Sequence, residues 1–190
     1  MRNSRLKRRV MLLLPAAIAG PFAFAAHSEA ETSSPQKGTA MRRMFLPSVA
    51  HTPALQRNTV FDSTAISLIN QERINRGLPA LAVSSLLTQA AVRHAMDLAA
   101  KNLTGHIGSD GSTYVVRISA TGYLARAMAE NVAYGYATPA AVVAAWMNSG
   151  GHRDNILWTE VTQIGFAYVR ANLPTSQYTH YWVNTFGRPQ

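Results

Sequence analysis

Apolar and polar positions change texture three times along the 190 residues of this chain. The first texture is a continuous apolar run over residues 10–26, rich in Leu and Ala. It follows directly on Arg2, Arg5, Lys7, Arg8 and Arg9, and it ends where Ala23-Phe24-Ala25 sets small residues two apart. A basic head, an apolar middle and a small-residue exit are the three parts of a secretory signal peptide, which predicts a leader over residues 1–25. A membrane anchor is the rival. It fits less well, because the run has 17 residues and contains Pro15 and Pro21, whereas a span needs ~20 mostly apolar residues. The Arg8-Arg9 pair admits a twin-arginine route, but Met11 stands where Phe is favoured.

The second texture, residues 26–60, mixes Ser, Thr, Pro and Gln with scattered charge and has no sustained apolar period, which reads as a flexible linker. The third begins at Phe61. Asp62 or Ser63 can cap a helix with Ile66, Ile69 and Ile74 on one face, stopped by Gly77-Leu78-Pro79. A second helix is expected after Ser84 or Ser85, with Leu87, Ala91, Ala95 and Leu98 at helical spacing, running to about Lys101. Residues 112–120 predict a short third helix ended by Thr121-Gly122. A strand is expected to enter from Glu130 and run to Tyr136. Thr138-Pro139 opens a further helix through Met147, which Gly150-Gly151 breaks. Residues 164–169 and 178–186 read as strands rich in Ile, Val, Tyr, Trp and Phe. Helices come first and strands cluster late, so the fold class is α+β, in one domain over residues 61–190.

Charge then removes one class of function. The net charge is +9, but residues 1–60 hold nine Lys/Arg against two acids, and residues 61–190 hold nine against seven. The basicity belongs to the leader and linker. Beyond Arg57 no Lys/Arg cluster with interleaved aromatics appears, so a nucleic-acid partner is not expected. There is no cysteine, so an exported domain of this size must be stable through packing rather than disulfides. Lipid attachment at a cysteine behind the leader is also excluded.

Several catalytic signatures are missing: the G-x-S-x-G elbow, the H-E-x-x-H helix, the Walker loop and the G-x-G-x-x-G turn. What remains is dispersed: Gly105 to Ser112 around His106 and Asp110, then Ala129 to Ala133 around Glu130, then Asn148 to Leu157 around His152. From spacing alone these histidines read as loop or helix-end residues that bond locally. His94, beside the stripe of the second helix, His180, in an aromatic strand, and Trp146 read as packing residues. Ser149 lies three residues before His152, yet no oriented Ser–His pair with an oxyanion hole is expected there.

The order and wording of these segments resemble the CAP superfamily, the cysteine-rich secretory, antigen 5 and pathogenesis-related-1 group, in its cysteine-poor bacterial branch. The resemblance is carried by Ile69-Asn70-Gln71-Glu72-Arg73, Gly77-Leu78-Pro79-Ala80-Leu81, Ala91 to Asp97, and His106 with Ser109-Asp110-Gly111-Ser112. It continues through Glu130-Asn131, Ala145 to Ser149, Gly151-His152-Arg153 with Asn155-Ile156-Leu157, Ile164-Gly165, Tyr181-Trp182 and Phe186-Gly187. It implies a three-layer α-β-α sandwich, a small central sheet with helices on both faces. It also implies a cleft with two His and two acids that in some members holds a divalent metal, often zinc. Carried over by position, His106, Glu130 and His152 match three of the four. Asp110 is the only acid near the usual fourth place, and Ala129 replaces a common Gly.

Imidazole and carboxylate suit Zn²⁺, and two His leave positions open for water or an anion. A metal-free, hydrogen-bonded cluster of the same residues is the alternative. Three functions follow as expectations. The first is an exported, monomeric binding or interaction module, secreted or periplasmic, non-enzymatic, with an envelope component, lipid or protein as ligand. The second is a metal-assisted hydrolase of peptide or envelope polymers with Glu130 as general base. The third is a structural envelope protein with a vestigial cleft.

Overall fold

The computed structural model describes residues 54–190. The expected leader and most of the expected linker lie outside the described residues. The elements run β1 (Leu55–Arg57), α1 (Thr59–Ile74), β2 (Ala82–Val83), α2 (Ser85–Lys101), α3 (Tyr114–Ala120), β3 (Ala125–Tyr134), α4 (Pro139–Asn148), α5 (Gly150–Leu157), β4 (Gln163–Ala171) and β5 (His180–Pro189).

Local chemistry explains most of the boundaries. Ser84 and Thr138 cap α2 and α4 through their side-chain oxygens, and Pro139 opens α4, as the sequence predicts. Several boundaries differ; β3, for one, begins at Ala125 rather than at Glu130. The α1 helix starts earlier, because Asn58 accepts from the amides of Val60 and Phe61. That releases Asp62 to turn inward, where it accepts from the Tyr168 amide and from Arg57. The ordered domain also begins earlier, since β1 pairs with β4 inside the stretch expected to be linker. Finally, Gly150-Gly151 follows α4 but also opens α5, so His152 sits in the first turn of a helix, one of the two placements expected of it.

The strands form one sheet in the order β1-β4-β5-β3, with β2 alongside β4. The long pairs β3–β5 and β4–β5 are antiparallel, and β2–β4 is parallel. Alternation along the strands splits their side chains between two cores. On one face Ile164, Phe166, Trp182 and Phe186 pack with Ala65 and Ile69 of α1, Val142 and Trp146 of α4 and Ile156 of α5. On the other, Ala167, Val169, Tyr181 and Val183 pack with Ala91, Ala95 and Leu98 of α2, while Leu87 and Ala90 of α2 meet Ile118 of α3 and Tyr123. The architecture is therefore a three-layer α-β-α sandwich, with β3 on an outer edge. Among the described residues no helix is long and apolar enough to cross a membrane.

One contact sets how closely α2 lies on the sheet. A Cβ at Gly165 would stand 2.2 Å from the Leu87 carbonyl carbon and 2.3 Å from the Thr88 nitrogen, and Thr185 Oγ1 donates to the Leu87 carbonyl at 2.9 Å. Backbone meets backbone, so neither side can yield by a rotamer change. Gly165→Ala is expected to destabilise the domain by about 3 kcal/mol. Urea unfolding measures it, and a loss under about 1 kcal/mol would show that α2 is not seated so tightly.

Candidate functional site

Three elements meet at the open edge of β3. Glu130 points from that strand toward the α2–α3 side. Its side chain is only 1% exposed, and so is that of Arg117 from α3. One guanidinium nitrogen of Arg117 donates to both carboxylate oxygens, at 3.0 and 2.9 Å. The same guanidinium group donates to the carbonyls of Ser112, at 2.6 Å, and His106, at 3.0 Å. It thus pins both flanks of the α2–α3 loop to the strand.

His106 stands on that pinned loop, half exposed, with Nδ1 2.9 Å from Glu130 Oε1. A carboxylate paired with a guanidinium can only accept, so His106 donates through Nδ1–H, and in the neutral ring Nε2 is then bare. Asp97 of α2 fixes the loop further, accepting from the Ser109 amide at 2.7 Å and from the Ser109 hydroxyl. The Tyr134 hydroxyl bonds Gly105.

His94 lies fully buried beneath, as its place beside the α2 stripe suggests. Its Nε2 is 3.1 Å from the Gly105 carbonyl and 3.8 Å from Glu130 Oε1. Burial pushes its pKa below the usual histidine value, while Glu130 pulls it back in part.

His152 arrives from the opposite face of the sheet, on α5. Asn131 of β3 donates to the His152 carbonyl at 3.0 Å, and Asn155 reaches back to Asn131 Oδ1 at 2.9 Å and to the Glu130 carbonyl at 3.3 Å. The far end of α5 is held by Arg73 of α1. That buried arginine donates to the carbonyls of Ile156, at 2.7 Å, and Trp158, at 3.1 Å, satisfying carbonyls that the end of a helix leaves open. His152 Nδ1 lies 3.0 Å from Ser149 Oγ. The two side chains meet because Ser149 is the residue before α5 and His152 lies within side-chain reach one turn on. The His152 pKa is lowered by burial first and by the charge of His106 second. A shallow cavity of about 280 Å³ adjoins His152, walled by Val132, Tyr134, Tyr136, Ala145 and Trp146.

The structure thus joins His106 to Glu130 and brings His152 to the same strand edge. Asp110 goes elsewhere: its carboxylate accepts from the Ser112 amide at 2.9 Å and from Arg93 at 2.7 Å, half exposed. Hydrogen bonds from Ser112 and then Arg93 hold its pKa down at about 2. Arg117, not Asp110, is the further charged group on the His106–Glu130 pair. Arg117 belongs to no motif, and its one signal in the sequence is a lone arginine inside a short apolar helix. His180, expected to pack, does so: its Nδ1 is 2.8 Å from the Tyr168 hydroxyl.

Among the described residues no three His, Cys, Asp or Glu side chains are grouped closely enough to hold a metal ion. Asp110 is held on the loop surface by Ser112 and Arg93, so the four-residue set does not assemble. Glu130 Oε1 already accepts from Arg117 and His106, and Oε2 accepts from Arg117 in a place solvent does not reach. A carboxylate behind a histidine Nδ1–H is the arrangement that orients a ligand from outside the coordination sphere.

Comparison with known proteins agrees with this architecture. The family model described as Cysteine-rich secretory protein family, CAP, matches residues 66–186. The uncharacterized protein YkwD of Bacillus subtilis is 34% identical over 113 residues, covering 60% of this chain and 44% of YkwD, so the chain spans less than half the length of that relative. Among solved structures, an extracellular protein containing an SCP domain from Bacillus anthracis superposes with a TM-score of 0.60 at 24% identity, over 68% of this chain and 41% of the other. An outer surface protein from Borrelia burgdorferi superposes with a TM-score of 0.61 at 23% identity, over 67% and 92%. The last two likenesses speak to the fold. The family match spans more than half of the sequence and no cysteine occurs in it; the chain belongs to the CAP family of cysteine-rich secretory proteins, in a cysteine-free form.

Proposed function

We propose that the protein is an exported binding module whose cleft presents His106 and His152 to a ligand at the edge of β3. The observation that carries this reading is the state of Glu130. Its side chain is sealed at 1% exposure beneath Arg117 and His106, so it serves to orient an imidazole. A general base needs a lone pair within hydrogen-bond reach of the proton it removes, and the sealed carboxylate offers none to an incoming water. The Ser149–His152 pair does not supply a hydrolase instead, since among the described residues no carboxylate bonds the His152 ring.

A divalent cation is the cofactor these residues would favour, held by Nε2 of His106 and Nε2 of His152. Two imidazoles suit zinc, and such an ion would supply open positions for a carboxylate or phosphate oxygen of the ligand. The apolar and aromatic wall beside His152 suits a ligand with a nonpolar portion, as an envelope lipid or an envelope protein segment would have. Export rests on the basic, apolar and small-residue leader over residues 1–25.

Zinc titration by calorimetry tests the cleft. About one equivalent is expected to bind, and His106→Ala or His152→Ala to abolish binding. Glu130→Gln is expected to weaken it about 10–100-fold, as loss of an orienting group does. Zinc affinity unchanged in the double histidine variant would remove the proposed ligands.

The Arg117–Glu130 pair generates a separate expectation. Arg117→Met strands a buried carboxylate and should cost about 3–5 kcal/mol, while Arg117→Met with Glu130→Met should recover most of it. Urea unfolding of the full cycle decides, and simple additivity of the two single losses would show that the groups are not coupled.

A further inference from the structure

A cavity of about 530 Å³ opens at the end of the sheet where β1, β4 and β5 meet the start of α1. It shares no residue with the cavity beside His152, and His106 does not line it. Its volume falls within the range that holds a small molecule rather than one ion.

The lining is cationic. The cations are Arg57 and Arg170; His180, whose charged form burial and Arg170 disfavour, joins them beside Gln56, Asn58, Phe61 and Tyr168, and no carboxylate lines the cavity. Strand register explains part of the grouping: Arg170 pairs with Gln56 on one side and with His180 on the other, so these three side chains project from the same face, while Arg57 reaches the cavity from the end of β1. Asp62 does not line the cavity but pairs with Arg57, so the unmatched positive charge there is that of Arg170. Asp62 Oδ2 takes one Arg57 nitrogen at 2.6 Å, and its Oδ1 is spent on the Tyr168 amide at 2.6 Å.

Donors remain on the lining residues. Five of the seven acids in the described residues are matched to arginines. Arg170 has no ion-pair partner among the described residues, and its charge acts on both Tyr168 and His180. His180 stacks on Tyr168, with ring centroids 5.9 Å apart, and bonds its hydroxyl through Nδ1, so Nε2 is the ring nitrogen left for a ligand. Asn58 satisfies the Val60 and Phe61 amides, so the start of α1 adds only the positive end of its dipole. Guanidinium forks match the geometry of phosphate oxygens, and the Phe61 and Tyr168 rings offer nonpolar surface beside them.

We propose that this cavity is a second binding site, for the phosphate group of a small phosphate ester, with Arg170 as the principal contact and Arg57 and His180 as supporting donors. The site stands independently of the metal-cleft reading. Free phosphate esters and phospholipid headgroups share this chemistry.

The test follows backbone amide shifts of the full chain by two-dimensional NMR at constant ionic strength. Inorganic phosphate, glycerol 3-phosphate and glycerophosphoglycerol (a soluble lipid headgroup) are the probes. Saturable shifts at Gln56–Phe61, Tyr168–Arg170 and His180 are expected with at least one ester. Arg170→Glu, at an exposed position, should weaken that binding at least tenfold, Arg170→Lys should weaken it less, and the double substitution His106→Ala, His152→Ala should leave it unchanged. Binding of the diester alone assigns the site to a lipid headgroup, and binding of glycerol 3-phosphate alone to a free monoester; both support it. No saturable shift at these residues, an equal response in Arg170→Glu, or shifts with inorganic phosphate alone as for an adventitious ion, would overturn it.

Discussion

The cleft depends on one buried ion pair. Arg117 and Glu130 are each withdrawn from solvent, and ions so placed lose several kcal/mol of hydration that only full hydrogen bonding and close charge contact can offset. Both oxygens of Glu130 are engaged, and Arg117 reaches two loop carbonyls besides. The partners come from α3, the α2–α3 loop and β3. Satisfying the two charges therefore holds three pieces of chain in one arrangement. His106 inherits its orientation from that arrangement, because its Nδ1 proton has an acceptor that cannot move.

The second wall of the cleft is set by uncharged contacts. Asn131 and Asn155 tie α5 to the edge strand, and Arg73 holds the last carbonyls of the same helix. These groups also occupy carbonyls that an edge strand would otherwise offer to another chain: Asn155 takes the outward carbonyl of Glu130, and Trp146 Nε1 lies 3.4 Å from that of Val132. The edge that carries the site is thus partly closed to strand addition, while side chains from both helical layers still converge on it.

Elements with local causes were legible in the sequence. Ser84, Thr138-Pro139 and the apolar stripe of α2 each act within a turn of themselves, and their helices begin or run where the pattern indicates. Elements whose cause lies far along the chain were not. Asp62 reads as a helix cap but is drawn to the amide of Tyr168, 106 positions away, and β1 exists only because β4 accepts it. Gly150-Gly151 reads as a break, yet the second of two abutting helices starts there. At the site, the order and wording of the sequence single out His106, Glu130 and His152, and the structure puts His106 on Glu130 and His152 beside Asn131 of the same strand. The role of Glu130 was not legible, because it is decided by Arg117, whose importance comes from burial rather than from a motif. Asp110 looked eligible by position, but Arg93 and Ser112 hold it on the loop surface.

The central claim is that Glu130, sealed by Arg117, acts on the cleft by fixing the His106 ring. The most direct measurement is a long-range ¹H–¹⁵N correlation spectrum of the His106 imidazole in mildly basic buffer without added metal. A proton on Nδ1 and a bare Nε2 are the predicted state. A ring protonated on Nε2, or one exchanging freely between the two forms, would contradict the account.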